Sequence, residues 1–284
     1  MQLSVVLITR NEEANVGRTL QSVQPVVADR KGEIIVVDSG SSDRTVEIAK
    51  SFGAKVFVEK WKGFAAQKNS AIDKASGEWI LSLDADEELD AELVREFTRK
   101  NESPGSADAP YDWFFTIGSG NRLVSTGNAA GFTIRRKNLF LGRWIQHGGF
   151  WPDPKLRLFR RQKGRFEARA VHEDVQVAGP TAPISAGTLI HHSYPTLSDY
   201  IEHMNRYSSL GAEMVVARRR PGFSFINIVL RPIFTFIYNY FLRLGFLDGR
   251  EGLLLHLYHA AYVSWKYAKA WEISRNTRPG EFEE

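Results

Sequence analysis

Three short, almost uninterrupted apolar runs, each closing on a cluster of polar and acidic residues, constrain this chain more than any other feature. Leu3–Thr9 (LSVVLIT) leads into Arg10-Asn11-Glu12-Glu13, Glu33–Asp38 (EIIVVD) into Ser39-Gly40-Ser41-Ser42-Asp43, and Trp79–Asp84 (WILSLD) into Ala85-Asp86. A run apolar at nearly every position has no solvent-facing side, so it reads as a parallel strand buried on both faces. The intervals carry helical spacing. Val16, Leu20 and Val23 fall on one stripe, and Ser42 is placed to cap a helix bearing Val46, Ile48, Ala49 and Phe52 and closed by Gly53. Lys55–Val58 reads as a short strand, and Phe64–Ala75 and Ala91–Lys100 as helices. Repeated βα units of this length imply an α/β fold with a mostly parallel sheet and helices on both faces.

Residues 101–110 (NESPGSADAP) form a polar break. Shorter strands are predicted beyond it at Tyr111–Ile117, Gly131–Arg136, Lys155–Arg160 and Phe166–Val171, and helical spacing takes over from Thr196. The expected division is therefore 1–105, 106–195 and 196–284. At 284 residues, 43% hydrophobic and 25% charged, the chain is globular rather than disordered. It has no cysteine, which excludes disulfides, thiolate metal sites and a cysteine nucleophile and suits a reducing compartment. Gln2–Ile8 lacks the basic flank of a secretory leader and reads as a strand. No predominantly apolar stretch of 18 residues is free of charge, which argues against a spanning helix.

Open α/β sheets bind ligands at the carboxyl ends of their strands. Each polar cluster alone is ordinary turn chemistry; three on one sheet edge point to a site. Asp84 and Asp86, two residues apart after a buried strand, can share a hard cation, Mg²⁺ or Mn²⁺, and leave room for phosphates. The competing reading is a helix start, because Glu87, Glu88 and Asp90 follow.

Together, VVLITRNEEANVGRTLQSV, EIIVVDSGSSDRTVEIA, Gln67-Lys68-Asn69 and WILSLDADE resemble the family 2 glycosyltransferases of GT-A fold. The middle of the chain, GFTIRRKNLFLGRWIQHGGFWPDPKLRLFRR with VHEDV, is similar to bacterial lipopolysaccharide-core β-1,4-glucosyltransferases. The resemblance implies that Thr9, Asn11 and Glu12 line a nucleotide pocket and that Asp38 contacts uracil. It implies that Lys68 approaches the diphosphate, Asp84 lies near the ribose and donor sugar, and Asp86 is the principal metal ligand. Within Val171-His172-Glu173-Asp174 the family pattern favours Glu173 as the base, with Asp174 second; a polar turn is the plain alternative. A late histidine joins the metal or diphosphate shell in several such enzymes, which makes His191 a candidate, beside the ordinary case of a structural histidine. One base and no placed nucleophile imply a single displacement with inversion. The Gln-x-x-Arg-Trp motif of processive synthases is absent, as is a Walker A loop.

Residues 131–172 carry eleven Lys and Arg against Asp153 and Glu167, within a chain of net charge only +4. Arg157 and Arg160, with Arg135, Arg136, Lys137, Arg161, Lys163 and Arg165, can face a phosphorylated acceptor or anionic headgroups, or simply form a solvated face. No nucleic-acid motif accompanies them, so nucleic acid is not an expected partner. Residues 223–247 are dense in Phe, Ile, Leu and Tyr but interrupted by Arg231, Pro232 and Arg243; over 223–272 an interfacial helical segment with snorkelling arginines fits better than a spanning one, and the plain alternative is a helix packed on the catalytic core or a dimer interface. The expectation is an inverting hexosyltransferase using UDP-glucose and Mg²⁺ or Mn²⁺, cytoplasmic and peripheral on the inner face of the membrane. Its acceptor would be a lipid-linked glycan such as lipopolysaccharide core. The rivals are a transferase acting on polyprenyl phosphate, another glycan or a peptide, and a non-catalytic nucleotide-binding adaptor.

Overall fold

The computed structural model describes residues 2–99, 114–117, 122–125, 129–167, 174–218 and 222–276. The first third alternates as expected: β1 (Leu3–Thr9), α1 (Val16–Asp29), β2 (Glu33–Asp38), α2 (Thr45–Ser51), β3 (Lys55–Val58), α3 (Phe64–Lys74) and β4 (Trp79–Ser82). β1 runs parallel to β2 on one side and to β4 on the other, and β3 lies beyond β2. Alternate residues of β1 serve opposite faces. Leu3, Val5 and Leu7 join Val16, Leu20 and Val23 of α1 in one core, while Val6 joins Ala71 and Ile72 of α3 in another. Two cores on one strand explain why its apolar run is continuous.

The local reading fails at two places. The strand after Trp79 stops at Ser82, and Glu87–Leu89 is a strand, β5, rather than a helix start. Asp90 instead caps α4 (Ala91–Thr98), its side chain accepting the Leu93 N–H at 2.8 Å. At the start of α2 it is Asp43, not Ser42, that accepts the Thr45 N–H, at 3.0 Å; Ser42 is taken up by Asn11. Acidic residues suit both a helix entry and a short strand, so composition could not separate them.

The chain continues through β6 (Phe114–Ile117), β7 (Arg122–Ser125), β8 (Gly131–Phe140), β9 (Arg143–Trp144), β10 (Asp153–Arg160), β11 (Gly164–Phe166), β12 (Val175–Val177) and β13 (Thr181–Tyr194). Of the strand expected at Phe166–Val171, Phe166 closes β11, which pairs with β12, and residues 168–173 lie outside the described set. The main sheet runs β3-β2-β1-β4-β10-β8-β13-β5, with β9 on β8. Its first four strands are parallel, whereas β10 is antiparallel to both β4 and β8, and β5 to β13. Strands from both sides of the division expected at 105 therefore build one sheet.

Two compact units result, one of residues 1–137 with 153–191, the other of 138–152 with 192–284. The second contains α5 (Leu197–Arg218), α6 (Arg231–Ile237) between π-helical turns at 226–230 and 238–242, and α7 (Gly249–Asn276). Its core gathers Phe140, Ile145, Tyr200 and Leu255. The arginines expected to snorkel are engaged within this unit. Arg231 donates to the Tyr267 hydroxyl at 2.6 Å, and Arg243 packs against Gly149, where a Cβ would lie 2.1 Å from its guanidinium. Among the described residues, no helix is long and apolar enough to cross a membrane.

Candidate active site

The site lies where β1, β2 and β4 end. Asp38, the last residue of β2, is buried at 1% exposure. Its Oδ1 accepts the Gly40 and Ser41 N–H groups at 2.9 and 2.8 Å, and its Oδ2 accepts the hydroxyls of Thr9 and Ser41 at 2.8 and 2.5 Å. A carboxylate has about four acceptor positions, so this one is saturated. Asp38 and Thr9 therefore brace the turns around the pocket; a direct bond from Asp38 to a nucleobase would displace one of four donors. Asn11, at φ +56°, extends the bracing: its side-chain oxygen accepts the Ser42 N–H at 2.8 Å and its own N–H reaches the Ser41 hydroxyl at 2.8 Å. Glu12 donates its N–H to Thr45 Oγ1 at 2.7 Å. Burial pushes its carboxyl pKa up, and the charges of Asp86, Asp43 and Asp84 add to the rise, which places Glu12 in the field of the acidic turn.

Asp84 is held on both oxygens. Lys68 Nζ from α3 donates to Oδ1 at 2.8 Å, and Arg157 from β10 donates to Oδ2. Burial opposes ionisation of this carboxyl, but Arg157 and Lys68 beside it outweigh burial and hold its pKa well below the usual carboxylate range. Arg157 pairs with Asp84 and with Glu87 (2.6 Å) and is 6% exposed. Arg160 sits at the opposite edge, opposite Trp79 in the ladder, where its guanidinium lies 4.8 Å from the Trp79 ring and pairs with Glu78. Much of the basic stretch is likewise engaged internally: Arg136 with Glu87 and Asp153, Lys137 with Asp90, Arg161 with the Gly77 carbonyl, Arg165 with Asp73.

The pairing of β13 with β5 sets His191 opposite Glu87, and His191 Nε2 comes to 3.2 Å from Asp86 Oδ2. Two ligands of one small divalent cation, each at about 2.1 Å, stand about 3 Å apart, so these two atoms fit a shared ion. Among the described residues no group of three or more His, Asp or Glu is gathered to hold an ion. Mg²⁺ and Mn²⁺ take few protein ligands and complete their shell with water and phosphate oxygens.

Glu173 lies outside the described residues; Asp174 is described and exposed, just before β12. Asn69 fixes the neighbouring strand: its amide donates to the Phe166 carbonyl at 2.9 Å and accepts the Phe166 N–H at 3.0 Å, while Lys68 Nζ stands 5.1 Å from the Phe166 ring centroid. The β11–β12 pair, with Asp174 just before β12, is thereby tied to the helix that supplies Lys68. The sequence reading named Glu87 and Arg136 but not their pairing. Local pattern offered only a helix-start acid and a surface arginine, and their pairing depends on strand order.

Residues 4–167 match the family described as glycosyl transferase family 2. The lipopolysaccharide core biosynthesis glycosyltransferase LpsC of Rhizobium meliloti (strain 1021) is 28% identical over 279 residues, covering 96% of this chain and 93% of that protein. An uncharacterized glycosyltransferase of Rickettsia conorii (strain ATCC VR-613 / Malish 7) is 43% identical over 264 residues, covering 89% of this chain and 84% of its own. Among solved structures, the mannosyltransferase PcManGT from Pyrobaculum calidifontis in complex with GDP-Man and Mn²⁺ aligns at 15% identity over 96% of this chain and 85% of that one, with a TM-score of 0.47. The matched stretch spans more than half of the sequence and contains the site residues from Thr9 to Arg157, with His191 beyond it, so the chain belongs to glycosyl transferase family 2.

Proposed function

We propose that the protein is an inverting hexosyltransferase that moves glucose from UDP-glucose to a sugar hydroxyl of a lipid-linked glycan, lipopolysaccharide core being the favoured acceptor, at the inner face of the cell membrane. The observation that carries this reading is the convergence of Lys68, Asp84, Asp86 and His191 at one sheet edge. Such a cluster offers countercharge to a diphosphate and an orienting carboxylate to a sugar. The relative named for lipopolysaccharide core biosynthesis supports the acceptor class.

In this reading Thr9, Asn11, Glu12 and Asp38 shape the nucleotide pocket and Lys68 turns from Asp84 toward the diphosphate. Asp84, kept ionised by Arg157, orients the donor sugar through its hydroxyls. Asp86 and His191 would hold Mg²⁺ or Mn²⁺, which when bound supplies further charge to the leaving diphosphate. The carboxylate of Glu173, or of Asp174, takes the acceptor hydroxyl proton while that oxygen bonds to the anomeric carbon and the bond to the diphosphate breaks. The configuration inverts because attack and departure occur on opposite sides. A thermal-shift screen of nucleotide sugars with Mn²⁺ tests the reading, since ligand bound to the native state raises the melting temperature. UDP-glucose should give the largest shift with Mn²⁺ and a smaller one with EDTA. A larger shift with a guanosine or cytidine nucleotide sugar would overturn the donor assignment.

A further inference from the structure

Glu87 is fully buried, at 0% exposure, in the residue after Asp86. Its Oε2 accepts the backbone N–H of Asp84 at 3.1 Å. Its Oε1 accepts from Arg157 at 2.6 Å and from Arg136 at 3.0 Å. The same Arg157 nitrogen holds Asp84 Oδ2, and Arg136 is anchored in turn by Asp153, through its Nε at 3.0 Å and a terminal nitrogen at 2.7 Å. Glu87 thus grips the first residue of the Asp84-Ala85-Asp86 turn from just beyond its last, and Arg157 locks the two acidic side chains together.

A buried ionic network is a weak source of stability, because apolar side chains of similar volume usually serve as well. It does restrict geometry, because displacing Arg157 or Arg136 breaks contacts with two acidic residues at once, even though Arg157 Nε is buried without a hydrogen-bond partner. Here the restricted element is the turn that presents Asp86 to His191. The network also divides the two aspartates. Asp84 has both oxygens engaged by cations of the protein, whereas Asp86 stands 3.2 Å from His191, an ion-pair distance that two ligands of one cation also adopt.

We propose that Glu87 and Arg157 are positioning residues for divalent-cation binding, holding the 84–86 turn so that Asp84 stays with Arg157 and Asp86 pairs with His191 around the ion. The proposal rests on the metal-dependent transferase reading above, and its test separates the two. Glu87→Gln keeps the shape and an acceptor for the Asp84 N–H but removes the charge that holds both arginines. Arg157→Lys keeps the charge on a shorter stem. Both would be compared with wild type by Mn²⁺ titration, read by electron paramagnetic resonance of free Mn²⁺ and by calorimetry with UDP, alongside melting temperature and circular dichroism.

For each variant the Mn²⁺ concentration at half-saturation should rise, by up to the roughly 10–100-fold that losing a direct outer partner of a metal ligand costs, because the turn that carries Asp86 is less firmly held. UDP affinity in EDTA should change less than about twofold, and Arg157→Lys should retain more function than Arg157→Met. A lowered melting temperature with unchanged Mn²⁺ half-saturation in both Glu87→Gln and Arg157→Lys would mean a purely structural role and overturn the proposal. So would a greater loss of Mn²⁺ affinity from Asp84→Asn than from Asp86→Asn. If wild type itself binds no nucleotide with Mn²⁺ and cleaves no nucleotide sugar, the functional reading fails and the proposal falls with it. That outcome is recognisable because it appears before any variant is made.

Discussion

Asp84 and Asp86 are two residues apart and face different chemistry. The first is locked between Lys68 and Arg157; the second has His191 at 3.2 Å and a quarter of its side chain exposed. Replacing Asp86 by Asn should therefore abolish metal-dependent UDP binding without unfolding the protein, because a ligand is lost and no apolar packing. Calorimetry with UDP and Mn²⁺ checks this, and undiminished metal-dependent affinity would reject Asp86 as the ligand. The base is separable in the same manner. Glu173→Gln should preserve donor binding and lower kcat by about 10²–10⁴-fold, the usual worth of a general base. If Asp174→Asn shows that loss instead, the base is the neighbouring residue. At this scale the two aspartates were legible because they follow a buried strand. The inward role of Arg157 was not, because its partners lie 73 and 70 positions away.

Along elements, α7 carries a built-in acid sensitivity. His256 is 1% exposed, between Gly148 and Gly245, at each of which a Cβ would lie within 2.3 Å of its ring. Both ring nitrogens lack a hydrogen-bond partner, so the site takes the neutral ring. Burial, with the neighbouring His259, moves its pKa from 6.5 down to about 4. Between those values the unfolded chain binds more protons than the folded one, so stability is complete above pH 6.5 and is lost as pH falls toward 4. The slope is at most about 1.4 kcal/mol per pH unit. Urea unfolding at pH 7 and pH 5 should show this loss, and His256→Leu, which removes the titration without breaking a hydrogen bond, should reduce it. An unchanged slope in the variant would place the acid sensitivity elsewhere. Strand existence was legible wherever two cores demanded continuous apolar residues, as in β1. It was illegible in β5, whose Glu87-Glu88-Leu89 has no strand composition and is held by pairing with β13, about a hundred residues on.

At the scale of the molecule, large apolar side chains remain exposed along the segment around α6, among them Phe225, Ile226, Phe234, Ile237, Phe241 and Leu242. A patch of this kind on a soluble surface marks an interaction site, and on the proposed reading the partner is an anionic membrane. Binding to anionic liposomes should weaken but persist at high salt, because salt screens the basic residues, each worth about 1 kcal/mol, and leaves apolar burial intact. Replacing Phe234, Ile237 and Phe241 by Ser should release the protein even at low salt with unchanged circular dichroism, since these side chains face outward. Equal binding to neutral and anionic liposomes would remove the electrostatic part. Protease protection of the segment from both sides of a vesicle would show that it spans.

What the sequence determined by itself was the parallel half of the sheet and the acidic edge above it. Both are local: a strand buried on two faces must be apolar throughout, and the turn beyond it must be polar, so each leaves its mark within about ten residues. The antiparallel half, the insertion of 138–152 into the second unit, and the internal pairing of much of the basic stretch were decided by tertiary structure alone. An arginine reads the same whether it faces water or a carboxylate brought in from another strand. For Arg157 the difference is made by β10 lying against β4, which sets its guanidinium beside Asp84 and Glu87.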